Sequence, residues 1–204
     1  MEERIEFLAE GITIEGLLQQ SSKTNGVVIT HPHPLYGGSM HNNVVMAISQ
    51  TYQKRGYTTL RFNFRGVGSS QGSFSDGIGE QEDVRAAVAY QADSGMKQID
   101  LVGYSFGAWV NGHLNCTRAG IANMVMVSPP VAFINFESVS TIDCLELIVT
   151  GSRDDIAPAE MIRQSYPEWN AEAHFEVIDG ADHFYGGYEN KLKEVLLMNS
   201  VNFK

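Results

Sequence analysis

The pentapeptide Gly103-Tyr104-Ser105-Phe106-Gly107 sets a serine between two glycines, directly after the apolar run Ile99–Val102 and ahead of a stretch with helical spacing. A serine on so tight a strand-to-helix turn has its hydroxyl pushed toward solvent. The glycines are needed where strand and helix approach closely, and the helix start beyond offers unpaired N–H groups at its positive end. The chemistry this suggests is nucleophilic attack. A serine hydroxyl needs an imidazole to accept its proton and a carboxylate to orient that imidazole. Candidates for both lie downstream, each behind its own apolar run. Thr150-Gly-Ser-Arg-Asp154-Asp155-Ile-Ala-Pro158 follows Leu145–Val149, and Asp179-Gly-Ala-Asp182-His183-Phe184 follows Ala173–Ile178. Serine, then acid, then histidine is the order in which such an elbow is followed by its partners. His183 is the expected general base and Asp154 the expected orienting acid. Asp155 is the rival acid, but its adjacent position aims it elsewhere. Asp182, beside the histidine, suits a turn or cap.

Attack by the serine would create an oxyanion, which calls for N–H donors fixed before reaction. One is expected from the Phe106 backbone. The second is expected from the loop His31-Pro32-His33-Pro34-Leu35-Tyr36-Gly37-Gly38. Pro32 and Pro34 have no N–H, so Leu35 is the predicted donor, with Tyr36 next. Tyr36 and Phe184 are the predicted substrate contacts, within a wider set of loop aromatics that includes Phe106, Phe133, Phe136 and Tyr185. His31, His33 and His41 resemble a metal cluster, but the two prolines and the lack of a matching acidic ligand argue against a metal. The run Arg65-Gly66-Val67-Gly68-Ser69-Ser70-Gln71-Gly72 approximates a dinucleotide loop. Its third glycine falls one place late, and it does not belong to the first βα unit. No cofactor is expected. Arg65 suits either a salt bridge or the site mouth.

Residues so far apart must be brought together by a framework. Ile5–Leu8 and Ile12–Leu17 alternate around Gly11, as an antiparallel pair at a sheet edge would. Thereafter come short apolar runs without alternation, at 27–30, 58–64, 99–103, 124–127, 145–149 and 173–178, as expected of strands buried on both faces. Helical spacing occurs between them at 44–52, 84–91, from Phe106, at 158–166 and at 188–198. Alternating strands and helices predict a doubly wound, mostly parallel α/β sheet, whose ligands bind beyond the carboxyl ends of the strands. The chain reads as one domain over residues 1–204, without a repeat or linker.

Composition narrows the function. The 204 residues carry a formal charge of −10, from 14 basic and 24 acidic residues, and 43% are hydrophobic. Without a basic cluster a nucleic-acid partner is not expected, and an acidic body is repelled by anionic membrane surfaces. No apolar run reaches the roughly 18 residues of a membrane span, and no secretory leader is visible. Cys116 and Cys144 are isolated and read as reduced, buried thiols, which makes the cytoplasm the expected compartment.

The elbow at Ser105, the segment Gly151–Pro158 and the Gly180–His183 segment together resemble the α/β-hydrolases over nearly the whole chain. The His31–Gly38 loop, followed by Asn42-Asn43, resembles a branch of small lidless serine hydrolases near the dienelactone hydrolases and esterases. Dienelactone hydrolases use a cysteine nucleophile, so serine at 105 departs from that activity. Many esterases carry His-Gly in the oxyanion loop, where this chain has His33-Pro34. The resemblance implies an α/β-hydrolase fold and a serine hydrolase acting on small carboxylic esters through an acyl-enzyme. A thioesterase or an amidase on the same residues is the alternative, and a non-catalytic binding protein on this fold the alternative of another class. Only about fifteen residues separate Pro130 from Leu145, so an open site without a cap is expected, with monomer and homodimer both allowed.

Overall fold

The computed structural model describes residues 1–199. Eight strands form one mixed sheet: β1 (Glu3–Ala9), β2 (Ile12–Gln19), β3 (Asn25–Thr30), β4 (Thr58–Phe62), β5 (Gln98–Tyr104), β6 (Asn123–Val127), β7 (Leu145–Gly151) and β8 (His174–Ile178), in the order β1-β2-β4-β3-β5-β6-β7-β8. The β1–β2 and β2–β4 pairs are antiparallel, and every pair from β4 through β8 is parallel. The helices are α1 (Asn43–Lys54), α2 (Ile78–Asp93), α3 (Phe106–Gly112), α4 (Cys116–Ala119), α5 (Ala159–Asn170) and α6 (Glu189–Asn199). This is the alpha/beta hydrolase fold, without a cap.

The central strands look uniformly apolar because each face of the sheet has its own core. Val28, Leu101, Met124, Met126 and Ile148 point to one side and pack with α2, α3 and α5 through Val84, Val88, Val110 and Ile162. Val27, Ile29, Val102, Val125 and Val149 point to the other and pack with α1 and α6 through Val44, Ile48, Leu192 and Leu196. Alternation is present but has no polar face to reveal it. Because β3 and β5 through β8 run parallel, their carboxyl ends share one edge. The loops after β3, β5, β7 and β8 therefore meet there.

Two local readings are corrected. Helical spacing stops before Pro167, yet α5 continues to Asn170. A proline inside a helix forfeits one backbone hydrogen bond, and tertiary contacts hold the last turn. Trp169 is buried against Phe136 with ring centroids 5.0 Å apart, and the Asn170 amide donates to the Leu145 carbonyl at 3.0 Å. The cysteines are not reduced thiols. Cys116 and Cys144, 28 residues apart in sequence, form a disulfide with Cα atoms 6.1 Å apart. It joins the start of α4 to the entry of β7, at the sheet edge opposite Ser105. Disulfides persist mainly in oxidising compartments, so the cysteine argument for a cytoplasmic location falls. No helix among the described residues is long and apolar enough to cross a membrane.

Candidate active site

Ser105 follows β5 directly and caps α3, with φ 54° and ψ −120°. That is a strained backbone for a residue with a Cβ. The turn is braced by the Ser105 N–H donating to the Val127 carbonyl at 2.9 Å and by the Ser105 carbonyl accepting from Ala108 and Trp109. Both flanking glycines are required by contact. A Cβ at Gly103 would lie 2.5 Å from the Ala108 nitrogen, and one at Gly107 would lie 2.5 Å from Thr30 Oγ1.

His183, on the loop after β8, bridges Ser105 and Asp154. Its Nδ1 lies 2.9 Å from both carboxylate oxygens of Asp154, and its Nε2 lies 2.9 Å from Ser105 Oγ. The ionised carboxylate can only accept, so Nδ1 carries the proton and Nε2 is left to accept from the serine hydroxyl. All three residues are buried, at 7%, 3% and 6% exposure for Ser105, Asp154 and His183. Burial by itself would raise the Asp154 pKa. The hydrogen bond and charge of His183, the Ser128 hydroxyl and the Ala157 amide outweigh it and hold the carboxyl below its ordinary value. Asp154 Oδ1 also accepts from the Ile156 and Ala157 amides, at 3.0 and 2.7 Å. Asp155 is exposed. Asp182 accepts from the Phe184 and Tyr185 amides and so caps the histidine turn. The His183 carbonyl accepts from the Tyr104 phenol at 2.7 Å.

The Phe106 N–H makes no hydrogen bond among the described residues, and Phe106 lines the cleft over Ser105. Leu35 is placed differently from the sequence expectation. Its amide donates to His33 Nδ1 at 3.2 Å, forming the cap of the short 3-10 turn Pro34–Tyr36, and its side chain is exposed. The His33 N–H has no such partner among the described residues, and His33 lines the cleft. Unlike its neighbours Pro32 and Pro34, His33 retains a backbone N–H.

A cleft of about 360 Å³ opens over Ser105, and no Asp, Glu, Lys or Arg lines it. Tyr36 and Phe184 both line it. Tyr36 meets Phe133, from the loop after β6, edge-on at 5.8 Å. Two aromatics expected near the pocket lie elsewhere: Phe136 packs on Trp169, and Tyr185 is fully buried behind the site. His31 is also buried, its ring bonded to the Pro32 carbonyl at 2.6 Å and to the Phe64 amide at 3.0 Å. Burial lowers its pKa to about 4, against the opposing pull of Pro32. Arg65 pairs with buried Asp83 at 2.8 Å rather than facing the cleft, and its backbone N–H donates to the same carboxylate.

A family model described as the alpha/beta hydrolase family matches residues 27–187, well over half of the chain. The chain belongs to the alpha/beta hydrolase family. An uncharacterized protein of Rickettsia prowazekii strain Madrid E, RP471, is 36% identical to this hydrolase over 184 residues, covering 84% of this chain and 77% of that protein. An alpha-beta serine hydrolase homologue from Coxiella burnetii superposes with a TM-score of 0.87 at 32% identity, over 97% of this chain and 96% of that one. The lidless serine hydrolase XC6422 of Xanthomonas campestris shares the fold, with a TM-score of 0.89 at 24% identity over 98% and 94% of the two chains.

Proposed function

We propose that this hydrolase cleaves small, uncharged carboxylic esters through an acyl-enzyme. The observation that carries the reading is the unbroken line Asp154–His183–Ser105, with 2.9 Å at each step. Ser105 Oγ attacks the ester carbonyl while His183 Nε2 takes its proton. The carbonyl oxygen becomes an oxyanion, which we assign to the unbonded Phe106 and His33 N–H groups, both of residues that line the cleft. Collapse of the tetrahedral intermediate breaks the bond to the alcohol, which receives the proton from His183. Water, deprotonated by the same imidazole, then attacks the acyl-serine and releases the carboxylic acid. Asp154 stays ionised throughout, fixing the tautomer and stabilising the imidazolium.

The uncharged, aromatic lining of the cleft supports a neutral acyl group. Its modest volume and the missing cap disfavour a long chain, which needs an extended apolar cover. The decisive experiment is fluorophosphonate labelling with mass mapping, paired with kinetics on a short-chain aryl ester. Label on Ser105 and a loss of about 10³-fold or more in kcat for Ser105→Ala are expected. An unlabelled protein, or a variant with near wild-type turnover, refutes the reading. Parallel rates on an acyl thioester and an aminoacyl anilide rank the bond types.

A further inference from the structure

The cleft over Ser105 is lined by few polar side chains, and most of them are already engaged. Ser105 and His183 hold each other, and the Tyr104 phenol donates to the His183 carbonyl. His33 Nδ1 accepts from the Leu35 amide, and its ring packs among those of Tyr36, Phe74 and Phe106. Tyr36 is 74% exposed. Asn42 differs from all of these. It is half-buried, it lines the cleft, and it stands at the N-cap of α1.

The helix uses only one end of that amide. Asn42 Oδ1 accepts from the Val44 and Val45 N–H groups at 2.9 and 3.5 Å. Only the oxygen of an amide can accept, so capping fixes which end is which and leaves Nδ2 as the free end. Nδ2 carries two donors and has no hydrogen-bond partner among the described residues. The next residue is spent differently. Asn43 Nδ2 donates to the Phe184 carbonyl at 2.9 Å and to Glu189 at 3.2 Å. These bonds tie the start of α1 to the loop that carries His183.

In the reaction proposed above, the departing alcohol oxygen takes its proton from His183 Nε2. The alcohol part of the ester therefore lies along the His183 loop, beside the start of α1. The acyl part is left with the apolar lining of Pro130, Phe133 and Ile134, where Phe133 meets Tyr36 edge-on. We infer that Asn42 is a specificity-determining residue, whose Nδ2 donates to an ether or hydroxyl oxygen on the alcohol part of the substrate. The inference rests on the ester reading and names its substrate class: an apolar acyl group on an oxygen-bearing alcohol, of glycol or polyol type. A plain alkyl alcohol would displace water from Nδ2 and offer no acceptor in return.

The test compares methoxyethyl propanoate with butyl propanoate, which share an acyl group and differ by an ether oxygen in place of a methylene. Acid release is followed for the wild type, Asn42→Asp and Asn42→Ser. Both replacements keep an oxygen to cap α1. Aspartate has no donor, and the serine hydroxyl is too short to reach where Nδ2 stands. The readout is the ratio of kcat/KM between the two esters, in which any effect of a new charge on His183 cancels. The wild type is expected to favour the methoxyethyl ester about five- to tenfold, the scale of one neutral hydrogen bond. Both variants should bring the ratio to about one or below. A wild-type ratio near one, or a preference that survives in Asn42→Asp, overturns the inference. Should that variant fail to fold, Asn42→Ser decides in the same way. Turnover of neither ester overturns it as well, and absence of fluorophosphonate label on Ser105 then shows that the ester reading beneath it has failed.

Discussion

Replacing Asp100 with asparagine should make this protein more stable, and more so as pH rises. Asp100 lies toward the amino end of β5, away from Ser105, and is fully buried. Its Oδ1 accepts from Asn123 Nδ2 at 2.7 Å, while Oδ2 has no partner in good hydrogen-bond geometry among the described residues. Burial drives its pKa from 3.8 up to about 6, against the pull of Asn123, Arg55 and Tyr57. The folded protein therefore binds this proton more tightly than the unfolded chain does. The carboxyl costs nothing well below pH 3.8 and its full penalty above pH 6. That penalty is about 3 kcal/mol at pH 8 and about 1 kcal/mol at pH 4.5, since each tenfold difference in proton affinity is worth about 1.36 kcal/mol. Asn keeps the acceptor for Asn123, but its own N–H groups carry some pH-independent cost. The informative quantity is consequently the change in Asp100→Asn minus wild-type stability between pH 4.5 and 8, expected near ~2 kcal/mol by urea unfolding. In a chain of this size that corresponds to a relative gain in Tm of about 4–8 °C. A difference that is flat with pH, or that falls as pH rises, would refute the argument.

His31 should show the opposite sign. Its folded pKa of about 4 lies below the 6.5 of a free imidazole, so its stabilising contribution is complete above pH 6.5 and is lost as pH falls toward 4. The loss amounts to about 3 kcal/mol. The two groups nearly cancel in the wild type. His31→Gln should become relatively more stable on acidification from pH 7 to 4, and a pH-independent difference in the urea midpoint would count against a buried neutral imidazole. Thiol titration of the unreduced, denatured protein should find no free cysteine. Cys116→Ala/Cys144→Ala should lose ~3–4 kcal/mol, the loop-closure value for a bridge of this span, with kcat unchanged. Two reactive thiols in the denatured protein would disprove the bridge.

The order of elements was legible in the sequence because it depends on local pattern. Alternation at Ile5–Leu8 and Ile12–Leu17 marked the antiparallel edge, and the unalternating runs marked strands buried on both faces. The elbow was legible for a steric reason: glycine at 103 and 107 is demanded by atoms within 3 Å. Asp154 and His183 could be nominated because each follows a strand, and parallel strands end on one edge. Where a local rule was followed without its partners, it misled. Helical spacing reads only to Tyr166, but α5 runs on through Pro167 to Asn170, where Trp169 packs on Phe136.

From the amino-acid order alone came the alternation of strands and helices, the candidate nucleophile with its two partners, and the acidic charge. Those features are written in spacing over a few residues or in composition. Only the tertiary structure decided that the Leu35 amide caps its own turn on His33, that Cys116 meets Cys144, that Tyr185 turns inward to Ser128, and that Asp100 is fully buried. Each of these depends on the distance and direction between groups, most of them far apart in the chain. Packing sets both, and no local pattern encodes either.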